Sequence, residues 1–419
     1  MEMSELTALL TPEGLRLLDE VGTIQTTAEV TRVVSTLRAA GHRPELVSAV
    51  VGQAHLRARA RAKFGDFAGR MLFTRAGLEQ ATRLGVAARH AGRMRQADIA
   101  RVADLGCGIG GDTLAFAGAG LEVVAVDTDE VTAAIAAYNL APFGGDAAVA
   151  QGTAEDFVSR NFGESHDLRT SSADSSEEAA ILRSTRTAVW LDPARRTAGH
   201  GETQRVTASD YSPSLEWAFD LASRVPAGIK LGPGHDRDAL PADAEAQWVS
   251  VDGSVVELVL WSRELAREGV RRAALVLRGD QSHELTAGAD AEDAGVRELG
   301  AFVHEPDGAV IRARLIGDVA RSLDAGMLDH KIAYLTGDAA VTSPFVQSFR
   351  VREVTGAAPK AINAALRAHD IGTIEIKKRG MDIDPAVFRK KLNLRGSQSA
   401  TLLLTRVGER RMAILADRI

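Results

Sequence analysis

The sequence predicts an α/β fold: a mainly parallel sheet covered by helices, with a helical region before it and a smaller α+β region after it. Three observations predict it. Up to about residue 98 the apolar residues fall at helical spacing, as Leu6, Leu9 and Leu10 do, and no stretch alternates with period two. From Ile99 short apolar runs alternate with helical ones, the pattern of strand–helix–strand units. Beyond residue 298 short strands recur with few helices. The divisions that follow are 1–98, 99–280 and 299–419.

Taken in order, Thr11-Pro12-Glu13 starts a helix, with Thr as cap, Pro in the first position and an acid in the first turn. The basic run from His55 to Lys63 reads as a solvated helix face. Ile99 to Leu105 is a strand, Asp112 to Gly118 a helix, Leu121 to Val126 a strand and Asp129 to Asn139 a helix. Residues 164–185, polar and rich in Ser and acids, read as a surface insertion. Ala188 to Leu191 is a buried strand, Ser212 to Arg224 a helix and Gly228 to Leu231 a strand. Val255 to Trp261 and Ala273 to Leu277 follow as strands, an antiparallel pair across a short polar link. Gly279 to Glu298 reads as a linker. Strands then fall near Phe302 and over 332–335, 345–354 and 373–377, helices over 361–367 and 385–392, and a hairpin over 400–415 turns at Gly408.

Composition limits the function. The 419 residues are 45% hydrophobic and 25% charged, with one cysteine. No apolar run reaches the roughly 18 residues of a membrane span. The first residues carry acids where a signal peptide carries Lys or Arg, so a cytoplasmic location is expected. One cysteine makes neither an internal disulfide nor a cysteine-based metal site, and no metal is expected. The net charge of −6 conceals an asymmetry: residues 371–419 hold 11 Lys and Arg against 5 Asp and Glu.

The most informative stretch is Asp104-Leu105-Gly106-Cys107-Gly108-Ile109-Gly110-Gly111-Asp112, between a strand and a helix. Gly106, Gly108 and Gly111 satisfy GxGxxG, so a dinucleotide is one reading. Asp104 and Asp112 favour another. Two acids beside the loop suit a ligand with a cationic amino end and oppose an anionic pyrophosphate. Asp127, ending the next strand, can accept both hydroxyls of a ribose.

On these residues the chain resembles the class I S-adenosylmethionine-dependent methyltransferases. Val102 to Asp112 is similar to their first motif and Val123 to Asp127 to their second. Gln151 to Asp156 resembles the segment along the adenine, although Thr153 replaces the usual acid. The resemblance implies a Rossmann-like domain on a mainly parallel seven-stranded sheet, with S-adenosyl-L-methionine as cofactor. It implies contacts from Asp104, Gly106, Gly108, Gly110, Asp112, Asp127, Thr128, Ala154 and Glu155. Met71 to Gln80 is similar to a segment that crosses the methionine end, with Phe73 and Thr74 as contacts.

Trp190-Leu191-Asp192-Pro193-Ala194-Arg195 ends a strand where methyltransferases of exocyclic amines carry Asp or Asn followed by Pro-Pro and an aromatic. Asp192, Pro193, Arg195 and Lys230 are therefore the catalytic candidates. Asp192 orients the acceptor, which is most of the catalysis because the sulfonium is already activated. Ala194 and Arg195 remove the stacking platform. Lys230, with Glu257 on the next strand, keeps ribose 2′-O transfer open behind transfer to a base nitrogen. Methylation at a pyrimidine ring carbon needs a cysteine nucleophile, and Cys107 lies within the cofactor loop.

Residues from about 299 resemble the THUMP-like domain that follows some methyltransferase domains. Ile374 to Gly380 and Phe388 to Gly396 carry the match. THUMP domains bind RNA, commonly tRNA, so RNA rather than DNA is the partner the resemblance implies. Lys377, Lys378, Arg379, Arg389, Lys390, Lys391 and Arg395 are the candidate contacts. The expectation is a methyltransferase acting on tRNA or rRNA. The alternatives are a protein or small-molecule methyltransferase and a non-catalytic binder of the cofactor.

Overall fold

The computed structural model describes residues 1–162, 186–195 and 211–419, so the insertion expected over 164–185 lies outside the described residues. The chain forms two compact units, Met1–Lys230 with Trp261–Ala266, and Leu231–Leu260 with Arg267–Ile419.

The first unit opens with helices α1 (Met3–Leu9), α2 (Pro12–Val21), α3 (Thr27–Ala39), α4 (Pro44–Phe64), α5 (Arg75–Gln80) and α6 (Leu84–Gln96). Thr11 caps α2 by accepting a hydrogen bond from the Gly14 amide, and Thr26 with Glu29 forms a capping box on α3. The apolar stripes of these helices share one core with the sheet region. Leu6, Leu18, Val50 and Phe64 cluster with Ile109, Ile135 and Leu140. Each such side chain contributes about 1.5–3 kcal/mol by leaving water. The expected solvated face on α4 is corrected in part. Arg57 is buried and donates to the Met71 carbonyl beyond the end of the helix.

The helices are followed by β1 (Arg101–Leu105), α7 (Gly111–Gly118), β2 (Glu122–Asp127), α8 (Glu130–Leu140), β3 (Ala147–Gln151), α9 (Ala154–Phe162) and β4 (Thr187–Leu191). Short β5 (Ala194–Arg195) and β6 (Tyr211–Ser212) pair with each other, and α10 (Leu215–Arg224) leads into β7 (Ala227–Leu231). The parallel order is β7-β4-β1-β2-β3. Strand succession runs outward in opposite directions from β1 and β4. Between their carboxyl ends lies the topological switch point, where open α/β sheets bind ligands.

The second unit contains β8 (Glu245–Val251), β9 (Ser254–Trp261), β10 (Arg272–Arg278) and β11 (Gln281–Ala287), in the order β11-β10-β8-β9. Three expectations change here. β8 was not anticipated. It separates β9 from β10, so those two are not paired, and β10 runs parallel to β8. Part of the expected linker is β11, antiparallel to β10. β1, β2, β3, β4 and β7 with the four strands named here make nine, where the resemblance implies seven.

The remainder of this unit runs β12 (Phe302–Pro306), α11 (Gly308–Arg312), α12 (Ile316–Ser322), β13 (Gly326–Asp329), β14 (Ile332–Gly337), β15 (Val346–Gly356), α13 (Pro359–Ala368), β16 (Ile371–Lys378), α14 (Pro385–Arg389), β17 (Gln398–Val407) and β18 (Arg410–Arg418). These strands form a second sheet, β13-β14-β12-β15-β18-β17-β16. Only β16 and β17 are parallel among its pairs, because α14 carries the chain back between them. The sheet curls strongly. Gly380, just past β16, packs on Ile332 of β14, although four strands separate those two in the order. Val303, Tyr334, Phe349, Leu403 and Ile414 cluster on one face. Ile362, Leu366, Ile374, Phe388 and Leu404 cluster under α13 and α14 on the other.

Candidate active site

At the switch point the glycine loop takes backbone that side chains disfavour. Gly106, Gly108 and Gly110 have φ of +93°, +56° and +85°. A Cβ on Gly106 would stand 3.3 Å from the Asp192 carbonyl, so glycine lets the loop and the end of β4 approach. The Gly108 amide donates to Asp127 Oδ2 at 2.9 Å, and the Asp129 amide to Oδ1 at 3.0 Å. Burial pushes the Asp127 carboxyl up, against those two amides, which lower it. Thr128 beside it is exposed. Ala154 is buried at the start of α9 and Glu155 half-buried, while Thr153 spends its hydroxyl capping that helix through the Asp156 amide.

Asp104 is 1% exposed. Its Oδ2 accepts from Thr113 Oγ1 at 2.5 Å, and its Oδ1 is buried without a hydrogen-bond partner among the described residues. Burial, with Asp112 and Asp192 nearby, pushes this carboxyl up to about 8, against the Thr113 hydrogen bond. An orphaned acidic oxygen at the mouth of a glycine loop fits the cationic amino end of S-adenosylmethionine.

Asp112 is buried on α7 and held on both oxygens. His90 Nδ1 lies 2.8 Å from Oδ1, and Thr82 Oγ1 donates to Oδ2 at 2.7 Å. Burial raises this carboxyl, but His90, Lys230 and Thr82 together outweigh it and hold it below the usual carboxylate range. So Asp112 is held as an anion by His90, Thr82 and Lys230. Lys230 Nζ, at the end of β7, donates to Thr82 Oγ1 at 3.0 Å, lies 3.9 Å from Asp112 Oδ2 and forms an ion pair with Asp192 Oδ2. The Asp192 side chain is 36% exposed and Pro193 is buried. The Arg195 backbone pairs with Tyr211 in β5 and β6. The structure thus brings Asp104, Gly106, Asp192 and Lys230 to one place.

Phe73 and Thr74 serve the wall of this site. Phe73 is fully buried, its ring 5.7 Å from that of Phe64 and its backbone bonded both ways to the Gln53 amide. The Phe73 ring thus belongs to the core. Thr74 caps α5 through the Gly77 amide, and a Cβ on Gly77 would meet Ile109 of the loop at 2.4 Å. Buried Asn139 ties the same segment to the loop, bonding Leu72 in both directions and the Ile109 carbonyl. Sequence reasoning missed His90, Thr82, Asn139 and Gln53. No local motif marks them, since they stand 22 to 67 residues from their partners, apart from Gln53 at 20.

Cys107 is buried, and burial with Asp104 and Asp127 pushes its thiol well up. That opposes the thiolate a ring-carbon mechanism needs. Glu257 is buried on β9 in the second unit.

The C-terminal cations divide. Lys377 Nζ lies 2.6 Å from Glu305 Oε2 and Arg379 Nη2 3.4 Å from Oε1, so these two are met by an acid inside the curled sheet. Both stand half-buried beside Glu305. Arg389 is exposed at the end of α14 but donates to the Ile374 carbonyl. Lys378, Lys390, Lys391 and Arg395 are exposed.

A family described as THUMP domain-like matches residues 346–418, and a domain of unknown function matches residues 2–60. Uncharacterised S-adenosylmethionine-dependent methyltransferases from two strains of Mycobacterium tuberculosis are each 32% identical over 361 residues, 84% of this chain and 91% of theirs. A crystal structure from Porphyromonas gingivalis, described as a candidate methyltransferase, is similar with a TM-score of 0.69 at 18% identity. It covers 94% of this chain and 99% of its own. At that identity the likeness is one of fold.

Proposed function

The chain belongs to the S-adenosylmethionine-dependent methyltransferases, and from that premise we propose that it methylates a base nitrogen of an RNA nucleotide, in tRNA or rRNA. One observation carries the reading: a partly exposed carboxylate, Asp192, gripped by Lys230 where its backbone touches the glycine loop.

The cofactor supplies a methyl group already activated on a sulfonium. Asp104 would hold its amino end, the backbone of Gly106 and Gly108 its middle and Asp127 its ribose. Lys230 fixes the plane of the Asp192 carboxylate, which then accepts a hydrogen bond from the incoming amine and turns the nitrogen lone pair toward the methyl carbon. After the N–C bond forms and the S–C bond breaks, the amine's surplus proton leaves through Asp192 to water. Lys230 Nζ is engaged by Asp192 and Thr82, with Asp112 Oδ2 3.9 Å away. That engagement assigns it to orienting Asp192 rather than to a ribose hydroxyl and supports nitrogen over 2′-oxygen. RNA as substrate is supported by the THUMP-like match and by the basic composition of that region. Such a substrate is met in the cytoplasm.

The test uses the full chain and methyl-labelled cofactor on separate pools of RNA, protein and metabolites. Label is expected in RNA, as an N-methylated nucleoside by mass spectrometry. Label confined to protein or metabolites overturns the substrate, and a 2′-O-methyl nucleoside overturns the atom. Asp192→Ala is expected to slow transfer about 100-fold or more with cofactor affinity changed less than about threefold. Transfer at the wild-type rate removes Asp192 from the mechanism.

A further inference from the structure

The second unit contains a groove of about 550 Å³ between the start of α13 and one side of α14. Pro359, Met381, Val387 and Phe388 give it apolar lining, and Lys391 and Arg411 cationic lining. Val387 is 52% exposed, a large apolar side chain left in water. Lys391 and Arg411 are both exposed and have no acidic partner among the described residues, unlike Lys377, Arg379, Arg418 and Arg352, each paired with an acid. Lys360 and Lys390, also exposed, are neighbours in sequence of the lining residues Pro359 and Lys391. Of the two acids lining it, Asp384 is spent on the Ala386 and Val387 amides at the start of α14. Asp382 remains as an acceptor for a base amino group or a ribose hydroxyl.

We propose that this groove holds one unpaired RNA nucleotide, its base on the apolar lining and its phosphates on Lys391 and Arg411. The inference rests on the RNA reading above and places where that RNA is gripped. The volume lies within the roughly 300–1,000 Å³ of sites for groups of nucleotide size. Two cations with no acidic partner among the described residues match the phosphates on either side of a nucleotide, and each contact formed releases a counterion. An apolar lining adds what a bare cationic patch lacks, a surface for a base face. A single strand offers that face and a duplex hides it.

The test is fluorescence anisotropy of a labelled single-stranded RNA of about ten nucleotides with the full chain. The double variant Lys391→Ala with Arg411→Ala changes two exposed side chains and keeps the fold. It is expected to bind about tenfold more weakly or worse, and its log–log salt slope to shrink by about 1.4, as two lost phosphate contacts require. Arg367→Ala, at the opposite end of α13, is expected to bind within about twofold of wild type. A duplex of equal length is expected to bind more weakly than the single strand. If the double variant binds as wild type, or the duplex binds as tightly, the groove is not a nucleotide site and the RNA reading stands. If the wild-type chain retains acidic peptides but no RNA of either form, both fall.

Discussion

Asp104 is a buried carboxyl poised between two protonation states. Its carboxyl is pushed up to about 8 in the folded chain, while an unfolded Asp titrates near 4. Between those values the folded protein holds a proton that the unfolded chain lacks. This residue's contribution to stability therefore falls as pH rises from about 4 to about 8. A cationic amino group bound at Oδ1 favours the anion, so cofactor binding near pH 7 expels the proton. Asp104→Asn is thus expected to act in opposite directions on two readouts. It raises the thermal stability of the cofactor-free protein over wild type increasingly from pH 5 to pH 8, and it weakens cofactor binding by about tenfold or more. Calorimetry of the wild type at pH 7 in buffers of different ionisation enthalpy should report proton release. A binding enthalpy independent of buffer would remove this account of Asp104. The residue itself is legible in the sequence, two positions before the first glycine. Its titration is not, since that depends on Asp112 and Asp192 being folded around it.

At the scale of elements, close backbone approaches decide which glycines matter. Gly372 in β16 faces Gly396 before β17, and a Cβ on Gly372 would come within 1.7 Å of the Gly396 carbonyl. Gly372→Ala must push the two segments apart and is expected to destabilise the second unit by about 2 kcal/mol or more, measured by denaturant unfolding. An unchanged midpoint would refute the packing described. The strand missed by sequence reading, β8, had a local signal. Asp252-Gly253 joins two apolar runs, and both residues take positive φ, +49° and +82°, as a two-residue hairpin turn demands. By contrast, β11 lies in a polar stretch that only pairing with β10 makes a strand. The basic run on α4 shows the converse. Its cations look solvated in sequence, yet Lys63 donates to the carbonyls of Leu78, Glu79 and Ala81 and closes the end of α5. Burial, with Arg83 and Lys230 near, lowers the Lys63 ammonium group.

For the whole molecule, charge is divided along the chain. Residues 346–418 carry fifteen Lys and Arg against seven Asp and Glu, within a chain of net −6. Part of that surplus is internal, since Glu305 meets Lys377 and Arg379. With Arg389 exposed but bonded to the Ile374 carbonyl, four further exposed cations, Lys378, Lys390, Lys391 and Arg395, remain from the run first read as an RNA contact. Four single-strand phosphate contacts imply a log–log salt slope near −2.8, so RNA affinity is expected to fall about 50-fold between 50 and 200 mM salt. Cofactor affinity should change little over the same range, because its proposed charge contacts, Asp104 and Asp127, are buried and half-buried. RNA affinity independent of salt would rule out phosphate contacts as its source.

The sequence by itself determined the cofactor chemistry, the parallel sheet and the place of Asp192. These rest on local facts: glycines where backbone must turn left-handed, an acid at a fixed step from them, and apolar runs of strand and helix length. It also determined that residues 299–419 hold a basic α+β region. Only the tertiary structure decided which charges act and which are neutralised. Lys377 and Arg379 look like open cations until the curled sheet brings Glu305 to them from more than 70 residues away. Lys230 looks ordinary until β7 sets its ammonium group on Asp192. A charge acquires its role from its neighbours, and folding, not adjacency in the chain, supplies those neighbours.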